Sequence, residues 1–219
     1  MFAATVTKRW IAASALASRF SRCREGIAAV EFAFVAPIML CMFIGVVELS
    51  QGITVSRRVS HVTSSTADLV ARQRNVTSSI LNDYMSIVDN LMAPYSDAPL
   101  KLTIASVYNT VALPGTPKTC WVYHRGDTTA NAADPSITAG SNYVGLPANL
   151  LDAAGGASVI VVKASYLYQP VMFFNTTSTT VQGAQISSFI GNAGITMTET
   201  FYLKPRLQSS VTKDSNTAC

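Results

Sequence analysis

What this sequence has least of is charge: only 13% of its 219 residues are Asp, Glu, Lys or Arg, while 49% are hydrophobic. A soluble domain carries about a quarter charged residues, so composition alone argues against a chain wholly surrounded by water. Histidine is scarcer still. His61 and His124 are the two in the chain, 63 residues apart and in no HExxH arrangement. There is no GxSxG, no P-loop and no GxGxxG, so the spacings that build nucleophile elbows and phosphate cradles are missing. The acids are scattered and form no pair suited to proton transfer or metal binding. The expectation is a protein with no catalytic residue, no metal and no cofactor, and hence no enzyme.

The formal net charge of +4 is equally uninformative about acidic partners. Lys8, Arg9, Arg19, Arg22 and Arg24 against Glu25 account for all of the excess, and residues 27–219 are balanced at 11 bases and 11 acids. A basic stretch confined to one terminus gives no reason to expect nucleic acid.

What is present is one long apolar run. Residues 27–47, IAAVEFAFVAPIMLCMFIGVV, hold 21 residues and a single charge, Glu31. As a helix the run spans roughly 31 Å, which matches the ~30 Å hydrocarbon core of a bilayer. Runs of this length and polarity read as membrane spans before they read as buried core helices. The basic residues ahead of it predict a cytoplasmic N-terminus, with everything after Val47 on the outer side. Arg57 and Arg58 reduce that asymmetry without reversing it.

Three readings of residues 1–26 stay open at this level. Trp10–Ser18 with Ala15-Leu16-Ala17 has the form of a weak cleaved secretory signal, but three arginines and a far stronger apolar segment follow it. The chain could instead keep an uncleaved signal anchor. The third reading starts from the junction Arg22-Cys-Arg-Glu-Gly-Ile-Ala-Ala-Val-Glu-Phe. A glycine closes the polar leader, the apolar run begins at once, and a carboxylate stands at its fifth residue. A carboxylate inside a membrane is costly and calls for a partner and a use. Cleavage after Gly26 would make Ile27 a free amine, one helical turn from Glu31, where the two charges can neutralise each other. The positive end of the helix dipole favours the same carboxylate.

The stretch GIAAVEFAFVAPIMLCMFIGVVELSQ resembles the TadE-like signature of the tight-adherence (Tad) pilus system, whose members are pseudopilins or minor pilins of the type IVb class. The resemblance is specific over about residues 25–72, through Gly26, Glu31, Phe32, Pro37, Gly45 and Glu48. Beyond residue 75 it is loose, resting on TMTETFYLKPR with Tyr166, Tyr168 and Pro170. It implies that a prepilin peptidase cuts between Gly26 and Ile27, and that Glu31, followed by Phe32, guides subunit assembly. Pro37 inside the span removes a backbone hydrogen bond and should kink the helix near Ala33–Phe34.

After Glu48 the composition changes while the helical period continues. Val55, Val59, Val62, Thr66 and Leu69 form a stripe, which either packs on the chain's own domain or contacts neighbouring pilin helices. A break near Asn75–Ser78 precedes a second helix with two adjacent stripes: Ile80, Tyr84, Ile87 and Leu91, and Leu81, Met85, Val88 and Met92. Pro94 ends it. From Leu100 the period becomes that of strands: Leu100–Tyr108, Thr119–His124, Ser158–Tyr168 and Ile195–Lys204. In the last, Ile195, Met197, Phe201 and Leu203 alternate with polar residues, predicting one buried face. The unbroken Val159–Val162 suits a central strand. Residues 126–156 read as a long exposed loop with few apolar anchors and a short turn of helix at Ala148–Ala154. The sum is an α+β protein: a leader (1–26), a transmembrane helix (27–47), an amphipathic stalk helix (48–74) and a small antiparallel-sheet domain (75–219).

Compartment sorts the cysteines. Cys23 falls in the leader and Cys41 in the span, which leaves Cys120 and Cys219 for a disulfide on the oxidising side, or as two free thiols. Arg125-Gly126-Asp127 matches an integrin-binding tripeptide that recurs by chance, and Asn75-Val-Thr and Asn175-Thr-Thr match glycosylation acceptors that mean little in a bacterium. The expected protein is a minor pilin or pseudopilin of a bacterial inner membrane, with its external domain in the periplasm or carried into a pilus. Its partners would be the lipid bilayer, the prepilin peptidase, other pilin subunits and Tad assembly proteins. An unpolymerised membrane scaffold, or an external binding domain on an anchor, are the rival readings.

Overall fold

The computed structural model describes residues 26–109, 117–147, 150–151, 157–170 and 194–214. The leader through Glu25, Cys23, Cys219, the acceptor at Asn175 and most of the expected helical turn at Ala148–Ala154 lie outside the described residues. The chain divides into two units, with the boundary between Val47 and Glu48.

The first unit contributes the opening of α1 (Ile27–Ala71), which runs through Pro37. Its large apolar side chains are exposed: Phe34 is 74% exposed, and Phe32, Met42 and Phe43 are each 67% exposed. Burying one such side chain contributes about 1.5–3 kcal/mol, so an uncovered series of them requires an apolar surrounding. This is the one helix among the described residues that is long and apolar enough to cross a membrane.

The second unit begins with the remainder of α1, where exposure gives way to a buried stripe of Val55, Val59, Val62, Thr66, Ala67 and Val70. Thr63 and Thr66 sit on that face because their hydroxyls bond back to the carbonyls of Val59 (2.6 Å) and Val62 (2.8 Å), leaving no polar group unsatisfied. The stripe packs into the core of its own domain, the first of the two alternatives. Leu69, expected within it, is half-buried, and Val70 takes the inward position.

A two-residue strand, β1 (Asn75–Val76), leads to α2 (Ser78–Met92), whose N-cap Thr77 accepts from the amide of Ile80 at 3.2 Å. Of its two stripes, Leu81, Met85, Val88 and Met92 are buried, while Ile87 is 43% exposed. Arg58 fastens the two helices: its guanidinium donates to the carbonyls of Leu91 (3.1 Å) and Ala93 (2.5 Å) and lies over the Tyr95 ring. It thereby satisfies carbonyls that the end of α2 leaves without an intrahelical partner.

The sheet consists of β2 (Leu100–Tyr108), β3 (Lys118–His124), β4 (Ser158–Tyr168) and β5 (Ile195–Leu203), antiparallel throughout in the order β3-β2-β4-β5. The apolar β4 is central, paired on both sides. Alternate residues divide the sheet between two cores. Leu102, Ile104, Tyr123, Ile160 and Val162 face α1 and α2. Ala105, Val107, Val159 and Val161 face the opposite way. That second face is covered by the segment after β3, which delivers the buried Ile137 and Tyr143. The expectation of an exposed loop with few anchors is corrected there: two well-spaced apolar side chains suffice to seat it.

β5 is the other correction. Met197 and Leu203 pack against the main core, but no residue of the strand is fully buried, and Ile195 remains 56% exposed. Among the described strands it pairs with β4 alone and forms the edge of the sheet. The chain then turns back. Trp121 Nε1 donates to the Val211 carbonyl at 2.7 Å, and β6 (Thr212–Lys213) pairs in parallel with β1.

Candidate functional site

At the start of α1, Gly26 precedes the first helical residue, Ile27, which is 55% exposed; Glu31 and Phe32 follow, exposed as well. A β-carbon added at Gly26 would meet nothing within 4 Å, and the same holds for Gly45. The fold therefore makes no steric demand for glycine at either position. Glu31 is one turn beyond Ile27 on the same helix, the spacing at which side groups become neighbours. Pro37 lies further along the same exposed stretch.

The residues after Val47 add a second carboxylate that sequence reasoning undervalued. Glu48 is 8% exposed, and its Oε2 accepts from the Tyr168 hydroxyl at 3.2 Å. Burial and the adjacent carboxylate push the Tyr168 phenol up to about 12, because both disfavour a second negative charge. Gly52 lies beside the Tyr168 ring, where an added β-carbon would make an ordinary contact at 3.6 Å. The signal was available in the match of Glu48 to the family pattern, but nothing local marks Tyr168 as its partner.

Arg125 of the tripeptide is turned inward. It donates to Asp89 Oδ1 (2.5 Å), Asp97 Oδ2 (2.6 Å) and the carbonyls of Asp97 (2.7 Å) and Leu100 (3.0 Å). The guanidinium holds the Asp97 carboxyl below its ordinary range. Gly126 and Asp127 make a tight turn of left-handed backbone, with φ of 67° and 53°. With its guanidinium engaged by four acceptors, Arg125 is a structural strut rather than a displayed recognition residue.

His61 is exposed on α1, as its sequence position suggested, whereas His124 is buried at the end of β3. Among the described residues no three His, Cys, Asp or Glu side chains converge as metal ligands do. Cys41 is a free cysteine within the apolar stretch, and Cys120 is half-buried on β3.

Compared with known families, residues 26–68 match the model described as TadE-like protein, in agreement with the resemblance drawn from residues 25–72. The match covers about a fifth of the chain and ends inside α1. No curated protein and no solved structure matches the chain.

Proposed function

We propose that this chain is a minor pilin or pseudopilin of a Tad-type pilus, trimmed by prepilin peptidase between Gly26 and Ile27. The observation that carries the reading is a coincidence of three features on one helix. The TadE-like match begins at Gly26. Residues 27–47 of the helix beyond it are apolar and exposed, and the one charge in that stretch, Glu31, stands a turn from the amine that cleavage would create. The freedom around Gly26 supports the same view, since packing gives no reason for a glycine there.

In this reading the helix is anchored in the inner membrane with the leader on the cytoplasmic side, and residues 48–219 extend into the periplasm. The apolar surface that lipid covers before assembly is covered by other pilin helices afterwards. Glu31 registers each new subunit by pairing with an N-terminal amine. The external domain initiates, caps or decorates the filament, and the role is one of assembly and adherence rather than catalysis. In the same reading Cys120 pairs with Cys219 in a disulfide on the oxidising side.

Intact mass and N-terminal sequencing of the membrane-extracted protein, together with immunoblots of sheared pili, test the proposal. The expected result is a chain starting at Ile27 and present in the sheared fraction. A chain retaining residues 1–26 overturns the processing step. A trimmed chain confined to membranes overturns the filament role and favours a static scaffold.

A further inference from the structure

Under the segment that follows β3, four polar side chains meet on the second face of the sheet: Thr103, His124, Asp134 and Lys163. Thr103 and His124 are registered opposite each other on β2 and β3, and His124 Nδ1 is 3.1 Å from Thr103 Oγ1. The same hydroxyl oxygen accepts from the backbone amides of Ala133 (3.0 Å) and Asp134 (3.3 Å). A hydroxyl has one proton and two lone pairs. Two amides occupy both lone pairs, so the proton is directed at His124 Nδ1, which must be bare. The neutral ring therefore carries its hydrogen on Nε2. An imidazolium carries hydrogens on both nitrogens and would aim a third donor at an oxygen with no acceptor capacity left.

We propose that His124 is a pH-sensitive latch: neutral, it orients the Thr103 hydroxyl that pins Ala133 and Asp134 to the sheet, and protonated, it releases them. The groups around it fix the direction of the response. Asp127, from the turn after β3, and Asp134, from the pinned segment, favour the imidazolium, while Lys213 of β6 opposes it. Lys163 of β4 pairs with Asp134 at 2.7 Å and offsets its charge. Arg125, the next residue, is held by Asp89 and Asp97. Burial outweighs these charges and lowers the His124 pKa. With the closed-state pKa below the free value of about 6.5, the open segment binds the proton more readily. The pinned state is thus fully stable above that pH and loses stability as the pH falls below it. Asp134 is held below the ordinary carboxylate range by Lys163 and Ser136, so it stays ionised through this window and the response belongs to His124. Release would loosen the seating of Ala132 and Ile137, both buried, the latter against the second face of the sheet.

The test uses the full chain in detergent micelles and does not depend on the pilus reading. Amide hydrogen exchange at Ala133 and Asp134, corrected for the intrinsic pH effect, is compared at about pH 7.5 and about pH 5.5. Protection should fall in the native protein, by at most about tenfold given the free value of about 6.5. In His124→Asn it should stay level, because Asn Oδ1 accepts the Thr103 proton and does not titrate. Nitrogen shifts of the imidazole should report the Nε2–H tautomer near neutral pH. Equal protection at both pH values, the same fall in His124→Asn, or an Nδ1–H tautomer would each overturn the latch. The tautomer is read on the native protein, so the idea stays exposed to refutation if the variant does not fold.

Discussion

The Tyr168 hydroxyl donates to a carboxylate that is itself buried, Glu48 at 3.2 Å. Hydrogen bonds to charged acceptors contribute about 1.5–3 kcal/mol, so Tyr168→Phe should lower the unfolding free energy by about that amount in denaturant titrations. The phenol is raised to about 12, above its unfolded value of about 10. Its contribution is therefore complete below about pH 10 and lost as the pH climbs toward the folded value. Absorbance titration of tyrosinate in the native protein and in Tyr168→Phe should show one late-titrating phenol missing from the variant. Arg125 offers a second residue-level test. Its side chain is only 14% exposed and engages two carboxylates and two carbonyls. Arg125→Lys keeps the charge but not the planar fork, so it should destabilise by about 2 kcal/mol or more. The Asp97 carboxyl is lowered by the guanidinium. The pair is therefore intact above the ordinary Asp range and is lost as the pH falls through the depressed folded value. In Arg125→Lys that acid-side loss should begin at higher pH, as followed by carboxyl carbon shifts.

Between elements, helix α2 is the sharpest case of what periodicity tells and what it withholds. Both stripes satisfy a 3.6-residue repeat equally well, and only packing against the sheet selects Leu81, Met85, Val88 and Met92. Leu81→Ala should cost about 2–5 kcal/mol, whereas Ile87→Ala, at a position 43% exposed, should stay within about 0.5 kcal/mol. Equal losses in chemical denaturation would mean that α2 is rotated. The same reasoning explains how far the fold was legible. The strands Leu100–Tyr108 and Ser158–Tyr168 appear at the boundaries that alternation and apolar runs imply. That β5 is an incompletely covered edge was not legible, because alternation reports which side chains share a face and not whether a helix covers it. Ile137 and Tyr143 were missed because isolated apolar residues in a polar segment gain meaning only from the second sheet face. At the site, Glu31 stood out as a lone charge inside an apolar run. Glu48 did not, since a charge at the end of such a run is ordinary until Tyr168 is brought to it from 120 residues away.

For the molecule as a whole, the contrast between its two units is one of solvent. Residues 48–219 contain two apolar cores, whereas the apolar side chains of residues 27–47 are outside any core. The second unit should then respond to reduction if Cys120 and Cys219 are joined. Closing a loop of about 100 residues contributes up to ~5 kcal/mol in the chain-entropy model. A reductant should lower its melting temperature, and an unchanged free-thiol count on reduction would rule the bond out. Glu31 decides what the uncovered helix is for. An acid at the centre of a membrane helix costs about 2.5–3.5 kcal/mol on insertion scales, and less near the end. If the carboxylate only burdens the anchor, Glu31→Gln should insert as well as the native chain, or better, and leave pili unchanged. If it pairs with the Ile27 amine of a neighbour, loss of the charge removes the partner that neutralises that amine in a low-dielectric surrounding, where unpaired charges are most costly. Glu31→Gln should then reach the membrane at native levels and be trimmed normally, yet fall by about tenfold or more in sheared pili, a coupling of ~1.4 kcal/mol or greater. Quantitative immunoblots of the two fractions measure both arms at once, and native levels in the sheared fraction would remove Glu31 from assembly.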